Sequence, residues 1–139
     1  MTATAWRPYS IKEIADGVAA GAREFDPAVR EFLDSWQAMN AARRPPALAG
    51  EPVRLGRVHD AYLAALAEHL ALSASIPVPE WTEGPTRFLG EPFFAGGLES
   101  LKAILIVESP LAFRRRLIFI SADGLNRPHR VPTAETSVA

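Results

Sequence analysis

Apolar residues recur at intervals of three and four along the N-terminal half of the chain, and this spacing predicts amphipathic helices. The first helix is expected to begin after Ser10. Because Glu13 follows three residues later, the two side chains are spaced to form a capping box at the helix start. Gly21 is expected to end the helix, since glycine readily adopts the left-handed conformation that follows helix C-termini.

A second helix is predicted over residues 27–43. Asp26 can cap it, and Pro27 suits the first turn, where a missing backbone N–H has no helical partner. Pro45 and Pro46 should stop this helix, because proline removes a backbone donor and clashes with the preceding turn.

The strongest apolar stripe belongs to a third predicted helix, residues 54–73, which follows a loop over residues 47–52. Its stripe is broad, because alanines and leucines occupy the positions on both sides of the main apolar row. We therefore expect this helix to contact more than one neighbouring element.

The pattern changes over residues 76–97, where prolines and glycines interrupt any long regular element. A disordered linker would lack large aromatic side chains. This stretch contains four of them, Trp81, Phe88, Phe93 and Phe94. We expect an ordered, irregular segment that wraps on the helical core, with a short helix near residues 86–89.

The C-terminal part begins with an apolar stretch over residues 98–108. Its β-branched residues leave both a helix and a strand open for 103–107. Ser109 and Pro110 form a second cap-plus-proline signal, after which 111–116 is expected to be a short helix. Residues Leu117 to Ile120 fit either a short strand or a continued turn.

Together these elements predict an all-α fold, a small bundle of about four to six helices with a proline- and aromatic-rich irregular segment. A small α+β fold is the alternative if 103–107 is a strand. At 139 residues, one helical domain over 1–128 with a flexible tail over 129–139 is the natural expectation.

Composition and charge narrow the function classes. The 15 Lys and Arg residues nearly balance the 16 Asp and Glu residues, which argues against a surface that coats nucleic acid or membrane. The absence of cysteine excludes disulfides, thiolate metal sites and cysteine nucleophiles. No apolar run approaches the roughly 18 residues that span a bilayer. The expected location is the cytoplasm, with no membrane partner.

Catalytic and metal-binding patterns are missing from the sequence. His59 and His69 lie ten residues apart on one predicted helix, too far to share a metal ion, and His129 lies in the predicted tail. Both helix histidines are expected to be partly exposed. Neither a nucleophile elbow nor a phosphate-binding loop is present. We therefore predict a protein that is not an enzyme and needs no cofactor or metal.

The most unusual charge cluster is the triplet Arg114, Arg115 and Arg116. Arginine suits both docking on an acidic partner or phosphate backbone and internal ion pairing, and the sequence favours neither. Successive helical residues point in different directions, so two of the three are expected to reach a partner while the third pairs inward, with Glu108 or Asp123. The predicted partner-binding residues are Trp81, Phe88, Phe93, Phe94, Arg114, Arg115 and Arg116.

The first two predicted helices have lengths that suit a helix-turn-helix module, which would bind DNA. The second helix carries Glu31 and Asp34, which oppose a phosphate backbone, whereas Phe32 and Trp36 have the spacing of core residues. Nucleic acid is therefore a weaker expectation than a protein partner.

The segment ESPLAFRRRLIFISADGLNR, residues 108–127, resembles small bacterial proteins with an E-S-P-x-A-F-R-R-R-x-I-F-I core and a short acidic turn. Those proteins also carry a helix similar to DAYLAALAE, residues 60–68, and a P-x-P-x-W element, matched here by Pro77, Pro79 and Trp81. The resemblance covers about half of the chain, with its elements in the same order.

Members of this group are often encoded beside nucleotidyltransferase-like proteins in apparent toxin–antitoxin modules. The resemblance therefore implies an antitoxin-like protein that neutralises a cognate toxin by direct binding, and it carries no catalytic residue. A DNA-binding transcriptional regulator is the alternative. A small enzyme or small-ligand sensor with a buried pocket near Trp81 is a third hypothesis.

Overall fold

A computed structural model describes residues 7–95, 105–106, 108–121 and 125 of the chain. This part is mostly helical, which confirms the predicted all-α class. Its α-helices are α1 (Ile11–Ala19), α2 (Phe25–Ala38), α3 (Arg44–Ala49), α4 (Arg57–Ala74) and α5 (Leu111–Arg114). Short 3₁₀ turns cover Ala41–Arg43, Glu80–Glu83 and Pro85–Arg87, and two short strands are β1 (Phe93–Phe94) and β2 (Ile118–Phe119).

The start of α1 agrees with the predicted cap. The Ser10 hydroxyl accepts a hydrogen bond from the Glu13 N–H at 3.1 Å. In return, the Glu13 carboxylate accepts from the N–H of Tyr9 at 2.7 Å, one residue before the usual position in a capping box. Gly21 follows the helix with a φ of 78°, a conformation that glycine adopts at little cost.

Helix α2 differs from its prediction at both ends. It begins at Phe25, and its N-cap Glu24 makes no side-chain capping bond, so Asp26 lies inside the first turn and is not the cap. It ends at Ala38, because the chain becomes extended at Met39. Arg44 then donates two hydrogen bonds to the carbonyl of Trp36, at 3.0 and 3.3 Å, and so satisfies one of the carbonyls at the helix end.

The predicted stop at Pro45 and Pro46 is wrong, and the loop predicted over 47–52 is wrong for residues 47–49, because α3 runs through Ala49. Residues 50–52 lie outside any helix, as predicted. Both prolines lie in the first turn of α3, where a backbone N–H would have no helical partner. Proline therefore opens a new helix at this point, after the extended backbone at Met39 has already ended α2.

Helix α4 is the central element. It contacts α3, α5 and the two 3₁₀ turns that follow it, which confirms the expectation drawn from its broad stripe. Its C-terminus is closed by Ser75 in the left-handed conformation. One hydrophobic cluster joins buried side chains of all these helices, including Ile14, Phe32, Leu48, Leu66 and Phe113.

Phe32 and Trp36 of α2 belong to this cluster, with 0% and 6% of their surface exposed, so their predicted core position is confirmed. Helices α1 and α2 pack against each other. The apolar faces of these two helices, which have the lengths of a helix-turn-helix module, are therefore buried in the core.

Near the C-terminus, Leu105, Ile106 and Glu108 are helical, whereas residues 103, 104 and 107 lie outside the described part of the chain. Ser109 does not cap α5, whose N-cap is Pro110. Instead, the buried Ser109 hydroxyl donates to the Leu105 carbonyl and accepts from the Ile120 N–H at 2.8 Å. The serine thus joins the end of one helix to the chain after β2.

Strand β2 pairs in parallel with β1, and Phe93 lies opposite Ile118 while Phe94 lies opposite Phe119. Leu117 precedes β2 with a φ of 65°, which is unfavourable for a side chain with a Cβ atom. This residue redirects the chain between α5 and the strand. The predicted tail over 129–139 lies outside the described residues. Within those residues, no helix is long and apolar enough to cross a membrane.

Candidate functional site

The predicted partner-binding residues separate into two regions on opposite sides of α4. The first region is built on Asp60 and Glu68, whose side chains are almost fully buried. Residues eight positions apart on an α-helix differ by only about 80° in direction, so both carboxylates face the same side of α4. Two arginines from later in the chain, Arg87 and Arg116, meet these carboxylates. We call this set of four charged residues the arginine clasp.

Arg87 meets the N-terminal carboxylate of the clasp. Its guanidinium lies 3.7 Å from Asp60 and donates to the carbonyl of Pro52 at 2.8 Å. A second carboxylate, from the exposed Glu51, lies at 3.3 Å. The guanidinium also lies over the ring of Trp81, 5.0 Å from its centre. Hydrogen bonds, charge and ring stacking therefore all hold Arg87 in a buried position.

Arg116 meets the C-terminal carboxylate in the same way. It is fully buried and donates to Glu68 at 2.5 Å, to the carbonyl of Ala112 at 2.9 Å and to that of Thr82 at 2.8 Å. Its guanidinium lies 4.5 Å from the ring centre of Phe88. Desolvation by burial lowers the pKa of Arg116 from its ordinary value, although the bond to Glu68 acts in the opposite direction.

The inward-facing member of the arginine triplet is thus Arg116. The carboxylate that it meets is Glu68 of α4 and not Glu108, one of the two partners that the sequence suggested. Asp123, the other suggested partner, lies outside the described residues. The sequence spacing gave no sign of this pair, because 48 positions separate the two residues. Only the packing of α5 against α4 brings them together.

The other two arginines of the triplet are more accessible. Arg115 donates to both carboxylate oxygens of Glu83, at 2.7 and 2.8 Å, and lies 5.1 Å from the ring centre of Phe88. Arg114 is exposed, and the described part of the chain places no carboxylate in an ion pair with it. Of the triplet, Arg114 alone extends into solvent without such an intramolecular contact among these residues.

Two of the predicted aromatic residues belong to the clasp region. The indole N–H of Trp81 donates to the carbonyl of Leu48 at 3.0 Å, and its ring faces Arg87. Phe88 faces both Arg115 and Arg116. These contacts attach the irregular segment after α4 to the helical core. They explain why this segment is rich in aromatic residues although it has little regular structure.

The two remaining aromatic residues lie elsewhere, in β1. Phe94 stacks on Phe119 of β2, with ring centres 4.9 Å apart. Phe93 is 38% exposed and lines a cleft on the other side of α4. The structure therefore does not gather the seven predicted residues into one surface.

This cleft has a volume of about 500 Å³, within the usual range of ligand and anchor pockets. It lies between the N-terminal turns of α2 and α4 and the chain around β1 and β2. Seven of its lining residues are apolar or carry a phenyl or phenol ring: Phe25, Val58, Tyr62, Phe93, Ala95, Leu105 and Ile120. Polar groups in the lining come from Asp26, His59 and Ser121.

Aromatic rings form the side of the cleft that belongs to α2 and α4. The Phe25 and His59 rings stack with their centres 3.9 Å apart and their planes 4° from parallel. Tyr62 meets Phe25 edge to face at 5.5 Å and meets Phe113 in the same manner at 5.1 Å. These contacts hold the rings in defined orientations, so the cleft has rigid walls.

The electrostatics of the cleft are acidic. Asp26 is its only formally charged lining residue among those that the structure describes. Burial raises the pKa of Tyr62 to about 12, and the negative charge of Asp26 adds to this shift. The described residues contain no Lys or Arg in an ion pair with Asp26.

An exposed apolar side chain lies at the rim of the cleft. Phe93 lines the cleft and still keeps 38% of its surface exposed. Ile106, which follows the lining residue Leu105 in the chain, is 45% exposed. Large apolar side chains beside a pocket are a common feature of protein-binding surfaces. This cleft, with Phe93 at its rim, is therefore the candidate binding site.

Sequence reasoning missed most of this site. Phe25, His59 and Tyr62 were absent from the predicted binding residues, and only Phe93 was included. A partial signal existed, since Val58 and Tyr62 are four residues apart and form one apolar side of α4 near its start. The sequence does not show that α2 and β1 leave this face of α4 partly uncovered.

The pocket expected near Trp81 corresponds to a shallow groove of about 580 Å³, lined by Trp81, Glu51 and several prolines and small residues. As for metals, the part of the chain described here contains no cluster of three or more potential ligands. Both helix histidines are partly exposed, as expected. Burial lowers the pKa of His69, whose ring lies near Phe113.

The comparisons with known proteins do not extend this picture: neither models of protein families, nor curated proteins, nor solved structures gave a match to this chain.

Proposed function

We propose that this chain is a non-enzymatic, antitoxin-like protein that neutralises a protein partner by direct binding, and that the cleft is the centre of its contact surface. The observation that carries the proposal is the combination of an apolar cleft walled by aromatic rings with the exposed rim residue Phe93. Interface anchors are typically large apolar side chains that enter such pockets while a surrounding rim excludes water.

The arginine clasp supports this choice of surface indirectly. Arg116 and Arg87 are buried and bonded within the chain, so they are committed to the fold. Arg114 makes no ion pair among the described residues, so it is the member of the triplet best placed for a contact outside the chain. We therefore centre the contact surface on the cleft and not on the arginine triplet.

The test is recovery of the partner by tagged protein from the cells that make it. We expect one stoichiometric protein with the wild-type chain, and its loss with Phe93→Asp, which places a charge at the rim. Leu72→Asp is the matched control, because Leu72 is an aliphatic residue of α4 that is 55% exposed and does not line the cleft. It should retain the partner.

If the recovered protein is a toxin, co-expression with the wild-type chain should restore growth, and co-expression with Phe93→Asp should not. Recovery of DNA without protein would contradict the proposal and favour a regulator. Equal recovery of the partner by both aspartate variants would show that binding does not use the cleft.

A further inference from the structure

The chain uses one recognition pattern twice within its own fold. In each case an arginine lies over an aromatic ring and meets a carboxylate of α4. Arg87 combines with Trp81 and Asp60. Arg116 combines with Phe88 and Glu68.

The cleft contains two of the three parts of this pattern. The carboxylate is that of Asp26, which is exposed in the first turn of α2. The rings are those of Phe25, His59 and Tyr62, which line the same cleft. Among the described residues, the third part is missing, since no arginine lines the cleft or pairs with Asp26.

We infer that the partner supplies the missing part: the cleft receives an apolar side chain of the partner together with an adjacent arginine that pairs with Asp26. This inference rests on the proposed function, because it names the chemistry that the partner presents to the same site. Arginine fits better than lysine, since its planar guanidinium can stack on a ring and meet a carboxylate at the same time.

The dimensions and charge of the cleft agree with this occupant. A space of about 500 Å³ holds more than one side chain, so an apolar anchor and its neighbour both have room. The mostly apolar walls favour an aliphatic or aromatic anchor. A negative charge with no opposing lysine or arginine in the described lining repels anionic groups, which makes an acidic segment or a phosphate backbone a poor occupant.

The inference is tested with three dipeptides that share one apolar anchor. The probes are N-acetyl-leucyl-arginine amide, the same peptide with citrulline, and the same peptide with glutamate. Citrulline has the shape of arginine without its charge, so the first two probes isolate the charge. Each is titrated into ¹⁵N-labelled full-length protein, and the amide shifts of cleft residues are followed.

We expect saturable shifts at Asp26, His59 and Tyr62, with the arginine peptide binding about two- to five-fold more tightly than the citrulline peptide, as befits a partly exposed ion pair. The glutamate peptide should bind most weakly. Asp26→Asn should abolish the preference for arginine over citrulline. Glu24→Gln is the matched control, because it removes an exposed carboxylate two residues earlier that does not line the cleft, and it should keep the preference.

Equal binding of the arginine and citrulline peptides would overturn the inference. So would shifts confined to other surfaces, or no saturable shift up to tens of millimolar peptide. These results are separable from the proposed function, because the peptides need no natural partner. If a partner is recovered from cells but the peptides do not bind at the cleft, the proposed function is supported and this inference is contradicted. If no partner is recovered but the cleft prefers the arginine peptide, the proposed function is contradicted and the preference of the cleft for arginine is still shown.

Discussion

Carboxylates and aromatic rings lie on two sides of α4, but they are buried and paired with arginines on one side and line an open cleft on the other. On one side, Asp60 and Glu68 are buried and meet arginines that stack on aromatic rings. On the other side, Val58 and Tyr62 line an open cleft next to an exposed carboxylate, Asp26. Positions 60 and 62 differ by about 200° around the helix, so one element separates a closed region from an open one.

The comparison teaches that arginines and aromatic residues are poor guides to an interface until their partners are known. Both types are enriched in protein interfaces, and both also serve to attach irregular segments to a core. Arg116 has no exposed surface, whereas Phe93 keeps 38% of its own. Exposure therefore distinguishes a residue that holds the fold together from one that is available to a partner.

The largest expected effect is the loss of one arginine from the closed side. Arg116→Met leaves the buried Glu68 without its closest cation and removes donors from two backbone carbonyls. We expect the free energy of unfolding to fall by about 3–5 kcal/mol, the usual cost of breaking a buried ion pair. Urea denaturation followed by circular dichroism measures it.

The matched control for this experiment is Arg114→Met, at an exposed position two residues earlier, where a change within about 0.5 kcal/mol is expected. The double variant Arg116→Met with Glu68→Met removes the unpaired charge and should recover at least half of the loss. A loss below about 1 kcal/mol in Arg116→Met would show that the pair is far more hydrated than its burial indicates.

A smaller effect is expected from pH on the open side. The pKa of Tyr62 is raised from 10.0 to about 12, so folding favours its protonated form. Its contribution to stability is fully present below pH 10 and is lost as the pH rises to about 12. Relative to Tyr62→Phe, the wild-type protein should lose about 2–3 kcal/mol over this range.

The measurement is urea denaturation of both proteins at several values of pH, supported by the difference in their phenolate absorbance. The comparison with Tyr62→Phe cancels the titration of lysine, arginine and Tyr9. If absorbance shows that the Tyr62 phenol ionises near its ordinary pKa, its hydroxyl is in contact with water and its surroundings are more hydrated than its burial indicates.

Partner affinity gives the next effect. Phe93→Ala removes an exposed rim ring, so we expect about a ten-fold loss of affinity for the recovered partner, the size typical of an interface anchor. Calorimetry with the purified partner measures this loss. Leu72→Ala, outside the cleft, should change the affinity less than about two-fold. Equal losses in both variants would contradict a contact surface centred on the cleft.

The smallest effect on the free energy of unfolding is expected at Arg115, which lies at the exposed edge of the arginine clasp. Arg115→Gln removes a 3.5 Å contact with Glu68, which keeps Arg116 as its closest cation. It also breaks the pair with Glu83, whose side chain is 55% exposed. We expect a loss below about 1 kcal/mol, because solvent screens such a pair, and a smaller difference from the wild type in 1 M salt. A loss as large as that of Arg116→Met would mean that the two arginines form one unit.

Local spacing and capping were enough to predict the helical class, the capped start of α1 and the central place of α4. They were less successful at the ends of α2. Pro45 and Pro46 stop a helix or open one with equal ease, and the extended backbone at Met39 decided between the two. Such a choice depends on the contacts that Arg44 makes with α2, which no local pattern records.

The packing of separate elements sets which charged and aromatic residues face inward, so these directions could not be predicted from the sequence. Arg116 meets a carboxylate 48 positions away, and Arg87 meets Asp60 across 27. The cleft arises because α2, α4 and β1 leave one side of Tyr62 uncovered. Local spacing determines which residues share a face of one helix. The arginine–carboxylate pairs and the cleft depend instead on how separate elements pack against each other. For this reason the sequence indicated the right kinds of residues but not their partners.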